Sequence, residues 1–204
     1  MKNTIEVELK FILTPEQEEL LLAHATFVKK IEFTDTYYDT TGYGLTTKDI
    51  WLRARNGKFV LKYPLATTSD VLKLQYNAPK QEIEDEETIR KTLSIPLGRS
   101  LREDLIKSHI KPLYTFRNIR KKYSKNGFNI DLDTAIFDDF TYETCEIECE
   151  VGNAAEIDAA LEKIVAFATA HGLSVKPVEG RLIEYLRRKH PTHYHALQHK
   201  TSKK

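Results

Sequence analysis

In at least five strand-like stretches of the sequence, like-charged side chains lie two residues apart. The acidic pairs are Glu6 and Glu8, Asp131 and Asp133, and Glu146 and Glu148; the basic pairs are Arg53 and Arg55, and Arg120 and Lys122. A solvated strand usually interleaves both signs, because like charges on one face repel. Carboxylates are the ligands that hard divalent cations prefer, and paired cations suit a chain of phosphates. The two kinds of pair together predict a site for a metal ion and a polyphosphate.

The residues between the charges predict that β-strands carry these pairs. In IEVELKF (Ile5–Phe11), apolar residues alternate with Glu6, Glu8 and Lys10, which gives a strand one apolar and one charged face. The stretches FNIDLDT and TCEIECEV alternate in the same way. Two interpretations stay open at this point. The charged face is either an ordinary solvated face or the inner wall of a barrel whose outer wall packs against helices.

The rest of the chain predicts about eight strands, mostly in hairpins, together with helices. After the first strand, strand-like segments cover residues 33–40, 50–55, 58–63, 70–77, 113–124, 128–137 and 144–151. Asn56-Gly57 and Asn126-Gly127 are hairpin turn signals. Thr14 to Gln17 form a capping box that starts a helix to about residue 25, and further helices are expected within 85–109, after Asn153 and from Arg181 to Pro191. We expect an α+β fold built on an antiparallel sheet or barrel, as one domain over residues 1–191.

The composition of the chain limits the kinds of molecule that the protein is expected to bind. The 204 residues carry a formal net charge of +1, so no global field is available to hold nucleic acid. No apolar run is long enough for a membrane span. With no signal peptide, Cys145 and Cys149 are expected to be reduced thiols in a cytoplasmic protein, and their spacing does not favour a zinc site. Residues 192–204 are expected to form a basic, flexible tail.

The sequence blocks themselves resemble a known family. Glu6-Val7-Glu8-Leu9-Lys10 resembles the ExExK motif of the CYTH, or triphosphate tunnel metalloenzyme, superfamily. FTDTYYDT, DIWLRAR, DLDTA, the EIE of CEIEC and RLIEYLRR resemble, in the same order, the blocks of its thiamine triphosphatase family. The resemblance covers about residues 4 to 191. It implies an eight-stranded antiparallel tunnel barrel that holds a triphosphate together with a divalent cation, usually Mg2+, with Mn2+ as a substitute.

The resemblance also implies roles for individual residues. The residues that match metal ligands are Glu6, Glu8, Asp131, Glu146 and Glu148. Glu143 is a rival to Glu146, because this chain is slightly longer between residues 135 and 146. The residues that match phosphate-binding positions are Lys10, Arg53, Arg55, Lys62, Arg120 and Arg181. Arg181 departs from the family, which carries lysine there, and the change alters reach and fork geometry.

Two aromatic residues complete the implied site. Trp51 matches a tryptophan that packs against the thiamine moiety, and a thiazolium cation over an indole gains cation–π attraction. Tyr37 matches a tyrosine that could orient water or the terminal phosphate, and we name Tyr37 and Lys62 as the candidate catalytic residues. For both aromatic residues, ordinary packing is the alternative.

The expected function is Mg2+-dependent hydrolysis of thiamine triphosphate by a monomer whose only partner is a small-molecule triphosphate. An inorganic tripolyphosphatase and a non-catalytic polyphosphate-binding module are the alternatives. A cyclase of the same superfamily fits the WLRAR and DLDTA blocks less well.

Overall fold

The computed structural model describes residues 5–64 and 80–198, and these residues contain eight strands and six α-helices. The strands are β1 (Ile5–Phe11), β2 (Thr26–Asp39), β3 (Trp51–Arg55), β4 (Lys58–Pro64), β5 (Lys80–Ile83), β6 (Lys111–Lys125), β7 (Phe128–Ile136) and β8 (Thr141–Val151). The helices are α1 (Pro15–Leu22), α2 (Glu86–Leu93), α3 (Leu101–Lys107), α4 (Ile157–Ala170), α5 (Arg181–Lys189) and α6 (Pro191–Gln198). None of these helices has the length and apolarity needed to span a bilayer.

The strand order closes into an antiparallel barrel, β1-β5-β4-β3-β2-β6-β7-β8, which confirms the expected α+β barrel. The predicted strand at residues 70–77 lies outside the described residues. The described residues divide into two compact units, one made of residues 5–32, 80 and 118–184, and the other of residues 33–64, 81–117 and 185–198.

The first unit builds its core on the apolar faces of β1, β7 and β8. Val7, Leu9 and Ile147 are at most 1% exposed and pack with apolar residues of α4, among them Ile164. Burying one such side chain contributes about 1.5–3 kcal/mol. Helix α1 closes the same core through Leu21. Because strand side chains alternate, this packing fixes the charged residues of β1, β7 and β8 on the opposite face.

Sequence signals account for the ends of the elements in the first unit. Thr14 caps α1, and the reciprocal bonds with Gln17 complete the capping box. Asn126 and Gly127 have φ of 51° and 83°, as the two-residue hairpin turn between β6 and β7 requires.

The second unit has its own core on the apolar faces of β3 and β4. Tyr38, Leu52 and Leu61 are at most 2% exposed and pack with residues of α2 and α3. Side chains of Asp85 and Ser100 cap the two helices. The turn at Asn56 and Gly57 has φ of 47° and 87°, which confirms the second predicted hairpin.

Part of the expected flexible tail, residues 192–198, lies in a helix. These residues belong to α6, and His193 within it is 1% exposed. The His193 ring stacks on Tyr43 with ring centroids 3.7 Å apart. The high content of histidine and lysine suggested solvation, but the His193 ring is buried and hydrogen-bonded to Thr46 and Tyr114. Residues 199–204 lie outside the described part of the chain.

Candidate active site

The charged face in the first unit is enclosed. Asp131 is 0% exposed, Asp133 2%, Glu146 5% and Glu148 8%. Two cations beside them, Lys10 and Arg120, are also buried. Charged side chains are almost never buried unless paired or bound to a metal ion. The solvated-face interpretation is therefore wrong for these residues.

Strand register brings the acidic residues of three strands together. Strand β8 pairs with both β1 and β7, so that Glu148 lies opposite Glu8, and Glu146 lies opposite both Lys10 and Asp131. Glu143, the rival of Glu146, is exposed. The odd-numbered residues of β8 at this point alternate with the inner-face residues Thr144 and Glu146, which places Glu143 on the other face. The structure thus brings Glu146 to the acidic cluster and leaves Glu143 outside it.

Arg120 is the centre of the ion pairs in this cluster. Its Nε donates to Oδ1 of Asp133 at 2.6 Å, and its Nη2 donates to Oδ2 of Asp133 at 2.5 Å and to Oε2 of Glu146 at 2.6 Å. Its Nη1 lies 2.5 Å from Oδ2 of Asp131. Burial alone would lower the pKa of Arg120, but Glu146, Asp133 and Asp131 outweigh it and raise that pKa. The fork geometry that arginine provides matches the bidentate contact with Asp133.

Three further cations border the same cluster. Lys10 pairs with Glu8, and its Nζ lies 3.5 Å from Oε1 of Glu146. Lys122 Nζ lies 3.2 Å from Oδ2 of Asp131. Arg181, the first residue of α5, places Nη1 3.0 Å from Oδ2 of Asp133. Arg181 therefore contacts Asp133, the same carboxylate that binds Arg120.

The carboxylates form two groups that could hold a divalent cation. Ligand oxygens of Asp131, Glu146 and Glu148 lie within 4.8 Å of one another, and so do those of Glu6, Glu8 and Glu148. Within the described ranges, Oδ1 of Asp131 is buried without a hydrogen-bond partner. Burial, and then the neighbouring Asp131 carboxylate, raises the pKa of Glu148. An all-oxygen donor set with an unsatisfied buried oxygen fits a hard cation such as Mg2+.

The second unit holds its basic side chains with carboxylates as well. Arg55 donates from Nε and Nη2 to the two oxygens of Asp35, at 2.9 and 3.0 Å, and its guanidinium carbon lies 3.9 Å from the centre of the Phe33 ring. Asp35 is 0% exposed. This bidentate contact and the ring together fix the plane of the Arg55 guanidinium.

Arg53 and Lys62 share a different carboxylate, Glu82 of β5. Arg53 Nη2 lies 3.4 Å and Lys62 Nζ lies 2.8 Å from Oε1 of Glu82. Burial alone would lower the pKa of Arg53, but Tyr37, Asp35 and Glu82 raise it. Tyr37 lies opposite Arg53 in the β2–β3 register. Tyr37 also stacks on Phe116 with centroids 5.6 Å apart. Tyr37 is thus a packed residue on the strand next to a predicted phosphate-binding arginine.

Trp51 begins β3 and is half-buried. Its indole Nε1 donates to Oδ1 of Asp49 at 2.6 Å, and the β3–β4 register places it opposite Lys62.

Sequence reasoning missed the carboxylates that hold the basic residues. Asp133 was recognised as half of an acidic pair but given no role, and Asp35 and Glu82 were not candidates. Their positions in the sequence could have pointed to Asp35 and Glu82. Asp35 lies two residues before Tyr37, on the same strand face, and Glu82 lies on a strand that follows Pro79. Which basic residue each carboxylate meets depends on strand register, which the pattern alone does not determine.

Comparison with known proteins identifies the family. A family model described as CYTH domain matches residues 4–182. A thiamine-triphosphatase from Macaca fascicularis is 32% identical over 221 aligned residues, covering 100% of this chain and 93% of the relative. A thiamine-triphosphatase from Homo sapiens is 32% identical over 218 residues, covering 96% of this chain and 90% of the relative.

Solved structures share the fold. A protein from Pyrococcus horikoshii matches with a TM-score of 0.65 at 24% identity, covering 90% of this chain and 99% of that one. A protein from Pyrococcus furiosus matches with a TM-score of 0.56 at 21% identity, covering 85% of this chain and 94% of that one. The family match over residues 4–182 and the near full-length relatives at 32% identity lead to one conclusion: the chain belongs to the CYTH domain family.

Proposed function

We propose that this protein is a Mg2+-dependent thiamine triphosphatase, which hydrolyses the terminal phosphate of thiamine triphosphate and leaves thiamine diphosphate. The observation that carries the proposal is the enclosed cluster of carboxylates around Arg120, in a chain that is 32% identical to thiamine-triphosphatases over almost its full length. Such a buried concentration of charge is costly for folding and is retained where it serves binding or catalysis.

The metal would be held by carboxylates of the first unit. The candidates are Glu6, Glu8, Asp131, Glu146 and Glu148, whose oxygens form the two groups described above. When bound, Mg2+ neutralises charge on the phosphate oxygens that it contacts. The buried residues of the cluster exclude bulk water, and this strengthens every electrostatic contact within the cluster.

The basic residues bind and orient the phosphates. Asp133 fixes Arg120 and contacts Arg181, so both guanidinium groups are held before substrate arrives. Lys10 adds a third cation. Phosphoryl transfer passes through a loose transition state, so preorganised positive charge contributes more than any covalent step.

The roles of Arg53, Arg55, Lys62, Tyr37 and Trp51 follow from the family resemblance. The first three would bind phosphate, with Lys62 and Tyr37 acting nearest to the reaction, and Trp51 would stack on the thiamine ring. Their support in the structure is that each basic side chain is held by a carboxylate of its own unit.

Location and assembly are parts of the same proposal. The free thiols of Cys145 and Cys149 are consistent with a reducing, cytoplasmic environment, and we propose that the enzyme acts as a monomer.

The test is phosphate release from thiamine triphosphate, inorganic triphosphate and ATP, each with Mg2+ and with chelator. We expect the highest kcat/KM for thiamine triphosphate and loss of activity in chelator. Preference for inorganic triphosphate would identify a tripolyphosphatase instead. Binding of all three without turnover would identify a polyphosphate-binding module.

A further inference from the structure

The single tryptophan of the chain is held by one short hydrogen bond. The indole Nε1–H of Trp51 donates to Oδ1 of Asp49 at 2.6 Å. The indole has no other polar hydrogen, and its partner is a carboxylate, so this bond is charge-assisted and fixes the rotation of the ring. Asp49 was not among the site residues that the sequence predicts.

Asp49 is presented by a turn that is itself anchored. It follows the 3₁₀ turn Thr46–Lys48 with a left-handed backbone (φ 58°, ψ 27°), and its N–H donates to the carbonyl of Thr46 at 2.9 Å. The Thr46 N–H and hydroxyl donate to the buried Asp39 carboxylate at 3.0 and 2.6 Å, and Oγ1 of Thr46 lies 2.8 Å from Nε2 of His193. The carboxylate of Asp49 therefore occupies a defined position beside the indole.

A carboxylate in this position changes what the indole face prefers to bind. Accepting the N–H bond raises the negative potential of the ring face, which strengthens attraction to a cation lying over it. The carboxylate also attracts a nearby cation directly. A free phosphate chain has no cationic ring, and a neutral base lacks the positive charge, so neither gains these two contributions.

We propose that Asp49 is a positioning and specificity residue, which through Trp51 selects triphosphate esters of a cationic heteroaromatic group over inorganic triphosphate and over esters of neutral bases. The proposal rests on the proposed function, since it assumes that the group carried by the triphosphate meets Trp51.

Two variants separate the position of the indole from the charge beside it. Asp49→Asn keeps an oxygen acceptor and tolerates the left-handed backbone but removes the charge. Asp49→Gly removes the acceptor as well, without strain, because glycine adopts positive φ freely. Ser94→Gly is the matched control, since Ser94 has a similar left-handed backbone (φ 56°, ψ 41°) at the end of α2 in the same unit.

The kinetic readout is the ratio of kcat/KM for thiamine triphosphate to kcat/KM for inorganic triphosphate. We expect this ratio to fall roughly tenfold in Asp49→Gly and about threefold in Asp49→Asn, mainly through KM, and to stay unchanged in Ser94→Gly. An equal loss on both substrates, or an unchanged ratio in both Asp49 variants, would overturn the proposal.

The second readout needs no turnover, because Trp51 is the only tryptophan that can fluoresce. Acrylamide should quench Trp51 more efficiently in Asp49→Gly than in wild type, and thiamine diphosphate should quench it at lower concentration in wild type than in either Asp49 variant. If wild type shows no preference for thiamine triphosphate, the proposed function fails, while this titration still decides whether Asp49 governs cation binding at Trp51. Identical titrations in wild type and both Asp49 variants would reject the role of Asp49.

Discussion

Acidification should destabilise the protein through one buried histidine. The His193 ring contacts Oγ1 of Thr46 at 2.8 Å through Nε2 and the hydroxyl of Tyr114 at 2.9 Å through Nδ1, and it stacks on Tyr43. The Thr46 hydroxyl already donates to Asp39, so it accepts from Nε2–H. Nδ1 then accepts from Tyr114, and the neutral ring has both nitrogens satisfied.

The size of the effect follows from the pKa of His193. Burial lowers this pKa from 6.5 to about 4; Asp39 opposes the shift and His190 adds to it. The unfolded chain takes up a proton near pH 6.5, whereas the folded protein takes it up only near pH 4. The stabilising contribution of His193 is therefore fully present above pH 6.5, and it is lost as the pH falls from 6.5 towards 4. Between pH 7 and pH 5 the free energy of unfolding should drop by about 2 kcal/mol through this group.

The assay is urea unfolding of wild type and His193→Gln at pH 7, 6 and 5, followed by circular dichroism. Glutamine cannot titrate, so the difference between the two proteins removes the contribution of all other groups. Wild type should be the more stable at pH 7, and its advantage should shrink by about 2 kcal/mol at pH 5. Parallel pH profiles for the two proteins would contradict the reasoning, because they would mean that His193 takes up its proton equally readily in the folded and unfolded states.

Three substitutions test the proposed site. Glu8→Gln should abolish Mg2+-dependent hydrolysis and leave the circular dichroism spectrum unchanged. Glu143→Gln is the control and should keep the hydrolytic activity, because Glu143 is exposed and lies outside the cluster. Activity of Glu8→Gln at saturating Mg2+ would show that Glu8 is not a metal ligand. Arg55→Ala should lower kcat/KM by about 10²–10³, with partial recovery in Arg55→Lys. It should also destabilise the fold, because buried Asp35 loses its bidentate partner and keeps the more distant Arg53, whose Nη1 lies 4.0 Å away. Near wild-type activity would exclude Arg55 from phosphate binding. Trp51→Ala should lower kcat/KM roughly ten- to a hundredfold for thiamine triphosphate and leave inorganic triphosphate nearly unchanged, and equal losses would make Trp51 structural.

Period-two alternation predicted the charged faces and seven of the eight strands that the structure describes, and it missed β5 (Lys80–Ile83). The pattern in β1 and β8 separates Glu8 and Glu148 from Leu9 and Ile147, and burial of the apolar set fixes the face on which the charged set lies. The hairpin turns followed from Asn-Gly pairs, whose residues adopt positive φ at low cost.

Contacts between distant segments could not be predicted in the same way. The pairing of Arg55 with Asp35 and of Arg120 with Asp133 depends on strand register. In the sequence alone, the acidic and basic pairs lie on separate strands, and nothing shows which pair faces which. The docking of α6 was missed for a related reason, since one histidine 147 residues from its partner Thr46 gives no periodic signal. Composition near the terminus indicated solvation, and a local buried hydrogen-bond network outweighed it.

The identity of the bond that is cleaved tests the central claim most directly. Phosphorus NMR of thiamine triphosphate incubated with the wild-type protein and Mg2+ should show thiamine diphosphate and orthophosphate appearing in equal amounts, with no reaction when chelator replaces Mg2+. Release of pyrophosphate, or an unchanged thiamine triphosphate spectrum with Mg2+ present, would contradict the assignment of this chain as a metal-dependent thiamine triphosphatase.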